Sequence, residues 1–282
     1  MQFTKKRKTL GILGMFLVIL SVNVILVEPA IIENDTVEIA GTGVNMTVAF
    51  LSDFQRRDAD PTFVQKAVDM VNAKNPDLIL LGGDYVENTT EELPSIEPLR
   101  NLKSKYGVYG VMGNHDYSAF GFAKDVGGDT ILAQQIIEFL ETPSLLDEYQ
   151  SGKPIKILRN EKVIIDNKVT VIGLDDLWAH VRDESKAYSE KSSGYRILLS
   201  HNQEELGIRK GVADLYLFGH THCGQMRLPG LGSIPKALGF SGEYDKGHYV
   251  LDDDTHVYTT CGLAPAPRLL NPPEISIIKL LP

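Results

Sequence analysis

The sequence predicts an α/β sandwich with mixed β-sheets, preceded by one membrane-spanning helix. Three observations carry that expectation. Residues 10–27 form an uncharged apolar run broken only by Ser21 and Asn23. Apolar strand patterns then alternate with amphipathic helical ones over the first half of the chain, and hairpin-like strand pairs dominate after residue 162. Alternation followed by hairpins implies sheets with both parallel and antiparallel pairs.

At a rise of about 1.5 Å per residue, residues 10–27 span roughly 27 Å, enough for a bilayer core. Lys5, Lys6, Arg7 and Lys8 precede the run, whereas Glu28, Glu33, Asp35 and Glu38 follow it. The positive-inside rule therefore keeps residues 1–9 in the cytoplasm and exports the rest. A cleaved signal peptide is the competing reading; it needs small residues before the cut, and cleavage after Ala30 would place Glu28 at the −3 position. A buried core helix is the third. Residues 28–45 are polar and acidic and read as a linker, leaving residues 46–282 as one domain.

The remaining elements follow by period. Residues 46–51 are an apolar strand, and residues 61–75 a helix opened by a proline, with Val64, Ala67, Val68 and Val71 on one face. Residues 77–82 and 107–113 read as strands around a proline-broken helix at 91–104, and residues 131–141 as a further helix. A hairpin over 162–174 turns at Asp166-Asn167. Later strands cover 195–200, 214–219, 248–252, 256–260 and 274–280.

The 282 residues are 43% apolar and carry a net charge of −9. Residues 1–30 contribute +3, so the remainder carries −12, which argues against a nucleic-acid partner needing basic patches. Cys223 and Cys261 both fall in the exported part, where they either pair or stay as free thiols.

Five segments carry the chemistry: SDFQ from Ser52, GGDYVE from Gly82, GNHD from Gly113, SHN from Ser200 and GHTHCGQ from Gly219. They supply Asp53, Asp84, Asn114, His115, His201, His220 and His222, most of them just beyond a predicted strand. Carboxylates, an amide oxygen and imidazoles suit two divalent ions, with Mn favoured and Fe, Zn or Mg as alternatives. Side chains at the carboxyl ends of strands converge on one sheet edge. Any one segment alone reads as an ordinary turn, but five strands delivering a metal-type side chain at the same position do not.

In order and spacing these motifs resemble the calcineurin-like metallophosphoesterase superfamily. The segments MRLPGLGSIP, TTCGLAPAPRL and NPPEISIIKL extend the likeness to a membrane-anchored bacterial and archaeal branch, which includes UDP-2,3-diacylglucosamine hydrolases and cell-envelope phosphodiesterases. The resemblance implies a sandwich of two mixed sheets flanked by helices. Asp84 would bridge two metals, Asp53 and His222 would hold the first, and Asn114, His201 and His220 the second. His115 would act on the substrate as general acid, oriented by Asp116. The family's first motif ends in histidine, where this chain has Gln55, which would bind weakly through its carbonyl oxygen or point to groups behind the metals. Cys223 stands where a glycine is usual and Cys261 where an arginine is expected.

The expected reaction is hydrolysis of a phosphodiester or pyrophosphate, with hydroxide activated by the two metals as nucleophile. An anchored site suits lipid-linked or envelope phosphate esters. Trp178, Phe240, Leu231 and Leu238 are candidates to meet acyl chains, and Asn114, His115, Asp175, Asp176 and His180 to line the substrate cleft, whereas His248 and His256 suit structural roles. The rival readings are an envelope phosphate-binding protein with a degraded first site and an extracytoplasmic protein phosphatase.

Overall fold

The computed structural model describes residues 2–56, 58–118, 130–142, 154–179, 185–188, 192–239 and 242–282, with side chains from residue 11 onward. His180 and Phe240 lie outside the described residues. The chain opens with α1 (Gln2–Val22), extended by a π turn at Asn23–Val27 and a 3₁₀ turn at Glu28–Ala30. Next come β1 (Glu33–Ile39), β2 (Met46–Leu51), α2 (Thr62–Asn72), β3 (Leu78–Leu81), α3 (Leu93–Ile96) and β4 (Val108–Gly110). After these lie α4 (Ile131–Glu141), β5 (Lys156–Ile157), β6 (Glu161–Ile165), β7 (Val169–Gly173), β8 (Tyr195–Ser200) and β9 (Leu215–Phe218). The chain ends with β10 (Arg227–Leu228), β11 (Gly232–Ser233), β12 (Gly247–Val250), β13 (His256–Thr259) and β14 (Glu274–Leu280).

Two six-stranded mixed sheets result. One runs β1-β14-β2-β3-β4-β5, the other β12-β13-β9-β8-β7-β6. In the first, β14 and β2 are antiparallel while β2, β3, β4 and β5 run parallel. In the second, β13, β9, β8 and β7 run parallel between two antiparallel edge strands.

Strand side chains alternate faces, and the burial follows that period. Val48, Phe50, Leu78 and Leu80 of the first sheet meet Val171, Ile197, Leu199 and Leu217 of the second in one core. Ala49, Leu51, Ile79 and Leu81 face the other way, against Val64, Ala67, Val68 and Val71 of α2 and Ile136 and Leu140 of α4. Strands covered on both faces read as unbroken apolar runs, which is why β2, β3, β8 and β9 were legible. The hairpin of β6 and β7 turns through Asp166 and Asn167, both at positive φ, where Asp and Asn are tolerated.

Residues 28–45 are not a free linker. Residues 33–39 form β1, paired in parallel with β14 from Glu33↔Glu274 to Ile39↔Leu280. The polar sequence of β1 reflects its place at a sheet edge, where charged side chains block further pairing. The predicted strand over 107–113 is short, because only residues 108–110 stay in the ladder and the chain then leaves toward Asn114. Gly11–Ala30 is long and apolar enough to cross a membrane, and its side chains are almost entirely unpacked.

Candidate metal centre

Parallel strands bring the chemistry to one place. Asp53 lies two residues past β2, Asp84 three past β3 and Asn114 four past β4, all from the first sheet. His201 directly follows β8 and His220 lies two residues past β9, both from the second. The carboxyl ends of both sheets therefore open on one site. Asp53, Asp84, His220 and His222 all sit in the left-handed backbone region, at φ of 56°, 56°, 68° and 48°. Such conformations cost roughly 1–3 kcal/mol each and collect where a site demands them.

Two donor clusters share one carboxylate. Asp84, His201 and His220 place ligand atoms within 4.8 Å of one another, and so do Asp53, Asp84 and His222. Asn114 Oδ1 is 2.9 Å from His220 Nδ1, which is 3.2 Å from His201 Nε2, so three lone-pair atoms converge. His201 Nδ1 donates to the carbonyl of Gly82 at 2.8 Å, which turns Nε2 toward Asp84 at 3.1 Å. A carbonyl fixing the far nitrogen of an imidazole sets its tautomer and its aim. On the other side, His222 Nε2 approaches Asp53 Oδ1 at 3.3 Å. The Asp53 carboxylate accepts the His220 backbone N–H on both oxygens. Close glycines make room: a Cβ on Gly113 would fall 2.2 Å from Asp84 Oδ1, and one on Gly262 2.6 Å from Asp53 Cβ.

The electrostatics match a cation pocket. Burial alone would raise Asp53, but the His222 and His201 charges outweigh it and hold the carboxyl well below its usual range. Burial would also raise Asp84, yet His201 beside it keeps it ionised. Burial would lower His201, but Asp84 pushes it up to about 10. Burial and the neighbouring His201 charge together drive His220 down to about 4. Two buried carboxylates sharing imidazoles, with each histidine aimed by a backbone or side-chain partner, fit a pair of divalent ions.

Other sequence-predicted residues fall into place differently. Gln55 Nε2 donates to Asp84 Oδ2 at 2.6 Å, which places its side chain against the shared carboxylate. His115 Nδ1 lies 2.8 Å from the Glu87 carbonyl, and the ring helps line a cavity of about 150 Å³ with Gln55, His222 and Gln225. Asp116 does not orient it. The Asp116 carboxylate instead accepts the backbone N–H groups of Gly113, Asp84, Tyr85 and Val86, tying together the loops after β3 and β4.

Asp176 is fully buried and accepts from Trp178 N and Ala179 N, so it shapes a turn rather than lining the cleft. Burial raises its carboxyl to about 6. Asp175 is likewise buried, held by Tyr117 and Arg159. Trp178 packs edge-on against His220, with ring centroids 4.6 Å apart. His248 and His256 stack on neighbouring strands at the rim of the second sheet.

Cys223 and Cys261 form a disulfide. It joins the residue after His222 to the residue before Gly262, directly behind Asp53. Sequence reasoning gave no role to Arg268. Its guanidinium is fully buried and donates to the carbonyls of Cys261, Gly262, Ala264 and Asn271, curling that loop beside the site. Burial lowers it to about 10, which leaves it charged at neutral pH. Its presence in TTCGLAPAPRL was visible, but nothing local marks an arginine that will cap four carbonyls.

The calcineurin-like phosphoesterase family model matches residues 46–224, which contain all of these donors. The chain belongs to that family. An uncharacterized metallophosphoesterase of Helicobacter pylori is 32% identical to this phosphoesterase over 235 residues, covering 78% of the chain and 55% of the relative. A transmembrane protein with metallophosphoesterase domain from Danio rerio is 30% identical over 212 residues, covering 71% and 44%. The UDP-2,3-diacylglucosamine pyrophosphatase LpxG of Chlamydia trachomatis is 24% identical over 281 residues, covering 84% of each chain. The chain thus spans about half the length of the Helicobacter relative. Members of this family are phosphoesterases, and the two mixed sheets carry that domain's α/β fold.

Proposed function

We propose that this phosphoesterase hydrolyses a phosphodiester or pyrophosphate of the cell envelope at a dinuclear centre. The observation that carries the reading is the pair of three-residue donor clusters sharing Asp84. Asp53, Asp84 and His222 would hold one ion, and Asp84, Asn114, His201 and His220 the other. When bound, two such ions draw charge from the phosphoryl oxygens and activate a water. Mn is the favoured ion, with Fe, Zn or Mg as alternatives.

The chain's own residues do the rest. The Glu87 carbonyl accepts a hydrogen bond from His115 Nδ1–H, which leaves Nε2 as the nitrogen that exchanges a proton with the departing oxygen. Asn114, fixed against His220, offers its amide to a phosphoryl oxygen, and Trp178 covers His220 on the open side of the cleft. Gln55 keeps Asp84 positioned between the two clusters.

An envelope substrate is supported by the apolar N-terminal helix, by the disulfide, which suits an oxidising compartment, and by the likeness to LpxG, a UDP-2,3-diacylglucosamine pyrophosphatase. In this reading α1 anchors the protein with its N-terminus in the cytoplasm and the site outside. The test is hydrolysis of bis(p-nitrophenyl) phosphate by the full chain in detergent, with Mn and with chelator, beside His220→Ala. Turnover that needs Mn and is lost in His220→Ala is the expected result. Metal-loaded, folded protein that turns over neither this diester nor a lipid-linked pyrophosphate would overturn the reading.

A further inference from the structure

The end of the membrane helix is bonded to the rim of the candidate site. Val24 O accepts the Arg268 backbone N–H, and the buried Glu28 carboxylate accepts the backbone N–H of Asn271. The same loop is bonded to the segment after His222: Leu269 N donates to Gln225 O, and Arg227 N donates to Leu269 O. Asn271 Nδ2 reaches the carbonyl of His222 itself. Anchor exit, loop 268–271 and the hairpin of β10 and β11 are therefore one bonded unit beside the site.

That unit is unusually apolar on its surface. Leu231 and Leu238 are each 64% exposed, Leu270 is 58% exposed, and Leu228 and Ile234 also stand in solvent. Scattered exposed leucines need no explanation, but a cluster of this kind does. Two of its cations share one buried carboxylate. Asp245 takes Arg227 at 2.9 Å, Ser233 at 2.7 Å and Lys236 at 3.5 Å.

We propose that this hairpin face rests on the bilayer from which α1 emerges, inserting Leu231 and Leu238 among the lipids. The inference rests on the reading of α1 as a membrane anchor. Continuity decides the occupant: two hydrogen bonds tie the face to the end of the span, so a bilayer holding one lies against the other. Attraction to anionic headgroups is not the driving force, because the part beyond residue 30 carries −12, Arg227 and Lys236 pair with Asp245, Lys246 bonds Asn271 and Arg268 is buried. Insertion of apolar side chains is insensitive to salt, unlike a polybasic contact. The candidate site would then open at headgroup depth, where the phosphate of a lipid-linked substrate lies.

The test uses the full chain in phosphatidylcholine nanodiscs, with and without bromine on the acyl chains. Leu231→Trp and Leu238→Trp are compared with Leu17→Trp within α1 and Ile131→Trp at the start of α4, with the unaltered chain giving the Trp178 background. The expected result is strong bromine quenching of the emission added at 231, 238 and 17, none at 131, and no change at high salt. Quenching at 17 with none at 231 or 238 would overturn the proposal and leave the anchor standing. Blue-shifted but unquenched emission at 231 and 238 would overturn it in favour of a second copy or a protein partner. No quenching at 17 would remove the anchor and the proposal together. None of these readouts depends on turnover, so a failure of the phosphodiesterase reading is seen separately.

Discussion

His115 takes its orientation from the Glu87 carbonyl, and its backbone N–H donates to Asp84, so the loops after β3 and β4 set the aim of the proposed general acid. His115→Ala should lower kcat by about 10²–10⁴-fold, the usual contribution of a general acid, with metal content unchanged by elemental analysis. His220→Ala should lose metal as well as activity. His201 gives a pH dependence for metal-free protein. Its folded pKa of about 10 stands above the ordinary 6.5. The ion pair with Asp84 therefore contributes stability fully below about 6.5 and loses it as pH rises through about 10. Chelated protein should show a melting temperature that falls across that window, and Mn-loaded protein should not, since bound metal replaces the proton. All seven main candidate donors and acids lay in readable motifs because each follows an apolar strand. The roles of Asp116 and Asp176 were not readable, because a carboxylate serving backbone N–H groups has the same local sequence as one facing a substrate.

Cys223–Cys261 ties the turn carrying His222 to the loop packed behind Asp53, so it supports one cluster and not the other. Replacing both cysteines by serine should cost about 2–4 kcal/mol in denaturant unfolding. Metal binding should weaken at the Asp53–His222 cluster, dropping the measured content toward one ion per chain. An unchanged content would separate the disulfide from the site. A sequence separation of 38 did not by itself indicate pairing, since only the sandwich brings the end of β13 beside the turn after β9. The proline-broken helix, by contrast, was legible at its own scale. Pro94 and Pro98 divide residues 90–101 into 3₁₀, α and 3₁₀ turns because each removes a backbone donor.

The whole sandwich depends on both ends of the chain. β1 covers the edge of β14 over seven residue pairs, and Lys279 reaches Glu38 across the pair at 2.9 Å. A fragment beginning at Met46 should aggregate or unfold at lower denaturant than one beginning at Glu28, which keeps β1 and the Glu28–Asn271 bond; size-exclusion chromatography with urea titration would read both. β1 escaped sequence detection because edge strands are charged where buried ones are apolar, whereas β2, β3, β8 and β9 announced themselves and fixed the architecture. The pairing of β1 with β14 also sets an order of events during synthesis. β1 has no ladder partner until β14 is made, 241 residues later at the Glu33↔Glu274 pair. Cys223 waits in the same way for Cys261, and the turn at Glu28 for Asn271. Closure of loops this long is slow and leaves partly folded chains prone to aggregation. In a chain delivered across a membrane, the edge of β1 would stay open beside the bilayer until β14 follows it, so the first sheet would close late.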